Sequence, residues 1–191
     1  MSSLVLTGDT SGSVTVTVPA VAGSNTATIG AATGTHYPFT AGTAVASTSG
    51  TSIDFTSIPS WVKRITVLLN EVSTSGTSNI IIQVGSGSVE TTGYTSTTQI
   101  TVTTATNVTS TTSGFNIIQI QAAANTMSGI ATLATLGSNV WAQNGVVKAG
   151  TTAISFSAGA KTTSGVIDRV RITTVNGTDT FDAGSINILY E

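Results

Sequence analysis

Valine and threonine alternate in the run SVTVTV, Ser13 to Val18, and a two-residue period returns in QITVT, AISFS and RVRIT. In an extended chain successive side chains point to opposite faces, so this period builds strands with one apolar and one hydroxyl-bearing face. Both residues are β-branched, which stiffens the side chain and suits a pleated sheet better than a helix. Clusters of Gly, Ser and Asn such as GDTSG, AGSN, STSGTSN, GSGS and NGTD separate the runs and read as turns. One stretch also fits a helical spacing: NTMSGIATLATLG, with Met127, Ile130 and Leu133 three residues apart. Its threonines and its strand neighbours favour a strand there too. The expected class is all-β.

Charge is scarce. Charged residues make up 7% of the chain, against roughly 25% in ordinary soluble domains. Ser, Thr, Asn and Gly must therefore carry the surface. A net charge of −2 offers no basic face for nucleic acid, so no nucleic-acid partner is expected. The absence of cysteine excludes disulfides and thiolate-bound zinc. No run approaches the roughly 20 apolar residues of a membrane span, and MSSLVLTGDTSG lacks the basic start of a secretory signal. The expectation is a protein made in the cytoplasm, without membrane insertion.

The chain divides by composition into residues 1–50 and 51–191. The second part, with strands expected in SIDFTSI, VKRITVLLNEV, NIIIQV, QITVT, FNIIQIQ, SGIATLATL, VWAQNGVV, AISFSAG, DRVRITTV and SINILY, is long enough to close a sandwich core. Candidate core residues include Ile53, Phe55, Ile65, Val67, Ile82, Phe115, Ile154, Phe156, Val170, Ile172 and Ile188. The first part has Asp9 as its only charge, and TAGTAVASTSG, Thr40 to Gly50, reads as a linker. Its short strands carry one thin apolar face and cannot be stable alone. Val14, Val16, Val18, Val21 and Ile29 are the candidate interface residues, to be covered by other copies of the chain or by a partner.

These two parts resemble a known group. SLVLTGDTSGSVTVTVPAVAGSNTATIGAATG, then FTSIPSWVKRITVLLNEVSTSGTSNIIIQVG, TTGY and DRVRITTVNGTDTFDAGSINILYE, are similar to segments of tail-fibre and related virion appendage proteins of tailed bacteriophages. The resemblance implies a homotrimer located in the virion. Residues 1–50 would attach to other virion proteins and trimerise; residues 51–191 would form a jelly-roll-like β-sandwich head facing the host surface. This chain lacks a long shaft, so it would be a short tail fibre or a capsid-decorating head fibre. A glycan-binding module without structural role is the alternative from a different class.

Little in the sequence carries chemistry. His36, the sole histidine, lies in GTHYPF without an evident triad. The acids are scattered, and only Asp179 and Asp182 fall close together, three apart in a turn-like stretch; glycoside hydrolysis needs a facing pair. No enzyme activity, cofactor or metal site is expected. Arg169 and Arg171 share a strand face, where ordinary ion pairs or contact with anionic polysaccharide are open. Tyr94 and Trp141 are the candidates for a surface platform that stacks on a host glycan, with burial as the alternative.

Overall fold

The computed structural model describes residues 3–7, 13–17, 39–120 and 122–191. Two compact units divide the chain, Met1–His36 and Tyr37–Glu191. In the first, β1 (Ser3–Thr7) and β2 (Ser13–Thr17) pair antiparallel, with Leu4 opposite Val16 and Leu6 opposite Val14. Among the described residues no third strand joins this two-stranded sheet.

The second unit is all-β and antiparallel. Its strands are β3 (Thr40–Ala41), β4 (Val45–Ala46), β5 (Ser52–Thr56), β6 (Arg64–Thr74), β7 (Ile80–Ser86), β8 (Ser88–Val89), β9 (Tyr94–Val102), β10 (Ala105–Thr111), β11 (Phe115–Ile118), β12 (Met127–Gly137), β13 (Val140–Ala149), β14 (Ala153–Thr162), β15 (Arg169–Thr174) and β16 (Phe181–Tyr190). Among the described residues one sheet has nine strands, in the order β10-β9-β14-β13-β12-β6-β16-β3, with β4 also on β16; the other has five, β11-β7-β15-β5 with β8 on β7. Both contribute to one apolar core, in which Ile65, Val67, Ile80, Ile82, Phe115, Ile117, Leu133, Val170, Ile172 and Ile186 are fully buried. The helix-like spacing around Ile130 resolves as strand β12. A two-residue turn joins it to β13, with Ser138 and Asn139 both at positive φ. That conformation matches the twist of the flanking strands.

Three sequence expectations change. Residues 40–46 are not a linker: Leu189 pairs with Ala41 and Ile186 with Val45, so β3 and β4 extend the sheet along β16, and the compact unit begins at Tyr37. Small residues there suit an edge strand as well as they suit a linker. Strand β10 was not expected, because ATNVTST has no apolar face to signal it; most of its residues are exposed. Ile154 and Phe156 are not core residues. Both are exposed, while Ser155 and Ser157 between them are buried.

The reason for that inversion lies in β11, which packs across β9 and β14 as the edge strand of the smaller sheet. Its outer main-chain groups have no neighbouring strand and need partners from beneath. Ser96 accepts the Asn116 N–H at 2.8 Å, and Thr98 donates to the Asn116 carbonyl at 2.5 Å. Gln119 Nε2 donates to the Thr98 carbonyl at 2.8 Å, and Gln143 Nε2 to Ser157 Oγ at 2.9 Å. Hydroxyl-bearing residues therefore take the inward positions of β9 and β14. Gly159 completes the fit: a Cβ there would stand 2.6 Å from the Thr95 carbonyl oxygen and 2.9 Å from the Phe115 ring.

Candidate functional site

The interface candidates of the N-terminal unit fall partly on β2. Val14 and Val16 sit on that strand, opposite Leu6 and Leu4. Val18, Val21 and Ile29, like His36, lie outside the described residues.

Tyr94 and Trp141 are not surface platforms. Tyr94 is 1% exposed and Trp141 4%, which leaves almost no ring area for a ligand. Tyr94 is held from all sides. Its hydroxyl accepts the Val84 N–H at 2.8 Å and donates to the Glu90 carbonyl at 2.9 Å. Its ring meets Phe115 edge-on at 5.0 Å, and Lys161 Nζ lies 5.2 Å from the ring centre. Burial pushes the phenol up to about 12, so it stays protonated and serves as a hydrogen-bonding pin. Trp141 contributes to the wall of a surface depression of about 230 Å³, together with Lys63, Asn139 and Val166.

The same region holds a cation absent from the sequence expectations. Lys161 is buried and pairs with Glu90 Oε2 at 2.7 Å, while also donating to the Thr92 carbonyl at 2.9 Å. Burial pushes the Glu90 carboxyl up. The hydrogen bonds from Lys161 and Ser164 outweigh it and hold the group below its ordinary value. The two residues stand 71 apart in sequence, and nothing local announces the pair. Every polar group in the cluster is occupied by a neighbour, so it reads as a brace between the β8–β9 connection and β14.

Several other charged side chains are likewise tied. Arg171 makes a two-point contact with Asp54, at 2.6 and 2.7 Å, and Arg169 with Asp168, at 2.7 and 3.0 Å. Asp179 accepts from Ser78 N at 3.0 Å and from Asn176 Nδ2 at 2.7 Å, while Asp182 accepts from Ser73. The two aspartates thus fasten separate contacts instead of facing each other. Among the described residues no group of three or more His, Cys, Asp or Glu stands close enough to hold a metal ion.

The outer face of the nine-stranded sheet is different. Strand register places Leu68, Ile130, Val146, Phe156, Gln99 and Val108 side by side on six consecutive strands. Ile130 is 50% exposed, Val146 46%, Phe156 48% and Val108 56%. Ile154 adds to the row one step along β14, next to Lys148 of β13. From β12 to β10 the outward positions carry one charge, Lys148, which pairs with Glu71 of β6 at 2.9 Å.

No protein-family model, curated protein or solved structure matches the chain.

Functional weight therefore rests on the chain's own surfaces. The alternation in AISFSAG and VWAQNGVV contained the apolar row, but it was equally readable with the opposite face inward. Only the register across strands collects single residues into a continuous band.

Proposed function

We propose that the chain is a non-catalytic building block of a tailed-bacteriophage virion: a short homotrimeric tail fibre with a β-sandwich head that contributes to host-surface attachment. The observation that carries this reading is the β1–β2 sheet, which no third described strand completes. A two-stranded ribbon falls short of independent stability in water. It gains a core when identical ribbons from neighbouring copies, or the proteins of the particle, cover it. The antiparallel head and the scarcity of charge support a surface appendage built by assembly. With Tyr94 and Trp141 buried, a glycan contact has no platform at those two positions.

The test compares the solution mass of the full chain with that of a chain beginning at Tyr37, and probes purified phage particles with an antibody raised against the head. The expected results are a trimer that weakens or dissociates on removal of the first unit, and labelled particles. A monomer in both forms, or unlabelled particles, overturns the reading.

A further inference from the structure

We infer that the outer face of the nine-stranded sheet is a self-association surface, covered by a second copy of this chain. This deepens the assembly reading above and rests on it for self-association, but it names a surface on the head that the reading does not require.

Isolated exposed apolar side chains are ordinary on any protein; contiguous ones are not. Here Ile130, Val146, Phe156 and Val108 belong to one cross-strand row, interrupted only by Gln99. The face spans six strands, about 24 Å at the usual strand spacing, and about 20 Å along each strand between Lys148 and Ala142. Its flat projection is on the order of 500 Å², and side-chain relief raises the accessible area toward the ~800 Å² per partner of a stable interface.

The occupant follows from the chemistry of the face. Around the apolar row stand Thr, Ala and Asn; Lys148 is neutralised by Glu71, and Arg64, at the β6 end of the face, by Glu191. A partner recognised by charge finds nothing to read, whereas an uncharged corrugated face complements another copy of itself. Electrostatic repulsion between copies is absent for the same reason. Three faces about 24 Å wide also close a triangular prism with each sheet about 7 Å from the axis, comparable to the reach of a phenylalanine. Strand β10 ends the sheet with regular register and no charge, unlike edges that are guarded against pairing.

The experiment uses the full chain and its lack of native cysteine. Val146→Cys is labelled with a maleimide over a range of protein concentrations. The expected result is labelling that slows as concentration rises, because another copy covers the site. Equally fast labelling at every concentration overturns the proposal; equally slow labelling overturns it unless adding F156K restores fast labelling, the mark of an association tighter than the range tested. In parallel, F156K and V146K are combined and the mass measured, with L136K, an exposed residue off the row, as control. The double variant is expected to raise the dissociation constant at least about ten-fold while leaving the circular dichroism spectrum of the head intact; L136K is expected to leave the mass unchanged. A trimer that survives the double substitution overturns this surface and leaves the fibre reading standing. A dimer that the double substitution dissociates supports the surface and removes the trimer.

Discussion

The main-chain N–H of Asn116 donates to the Ser96 hydroxyl at 2.8 Å, joining an edge strand of one sheet to the inner face of the other. With Thr98 on the neighbouring carbonyl, side chains do for β11 what a flanking strand does elsewhere. These contacts hold the hydroxyl face of β9 inward; on β14, Ser155 takes the Gln119 N–H and Ser157 the Gln143 amide, so Phe156 is left facing solvent.

Thr98→Val removes the donor to the Asn116 carbonyl with little change of shape. A buried carbonyl left without a partner costs about 1–3 kcal/mol. Urea unfolding of the head should show a loss in that range; a change below about 0.5 kcal/mol would mean that another group satisfies the carbonyl.

The Asn116 carboxamide is buried beside these bonds without a protein partner among the described residues. Asn116→Leu keeps a similar volume and removes that polar group from the interior. Because burying an unsatisfied amide is unfavourable, the substitution should be neutral or stabilising by up to about 1 kcal/mol. Destabilisation well beyond 1 kcal/mol in the same unfolding assay counts against this view.

Lys161→Met leaves Glu90 ionised without its buried cation. Breaking one side of such a pair costs about 3–5 kcal/mol. The double variant K161M/E90Q should recover a large part of that loss, since it removes both charges together. A double variant as unstable as the single one would show that packing around Tyr94, not charge, sets the penalty.

Glu71 accepts hydrogen bonds from Thr126 at 2.5 Å and Ser128 at 2.8 Å and pairs with Lys148. The Thr126 hydroxyl, then Lys148 and Ser128, hold its carboxyl down from 4.5 to about 2. A carboxyl lowered in the folded state stabilises fully above its unfolded value and loses that contribution as pH falls through the folded one. The melting temperatures of wild type and E71Q should therefore differ most above pH 5, converge between pH 4.5 and 2, and coincide below. A difference that stays constant across this window would show that Glu71 does not titrate against these partners.

Strand identity was legible in the sequence because a two-residue period reports only local geometry. The runs around Ile53, Ile65, Ile80, Phe115, Ile172 and Ile186 all became buried strands. In those runs apolar side chains face a partner sheet across the core, so hydrophobicity alone points the right face inward. In AISFS the two faces compete, and hydrophobicity favours the wrong one. Thr-rich β10 went unseen because an exposed edge strand needs no apolar face.

Local sequence thus determined that this chain extends, where it turns, and that charge would play little part in its surface. Tertiary structure alone decided that Ser155 and Ser157 face inward and Phe156 outward, that Tyr94 and Trp141 are buried, and that Lys161 finds Glu90. Each of these depends on partners brought together from distant parts of the chain. A buried main-chain group must be satisfied wherever it falls, and that demand has no signature in the strand that meets it.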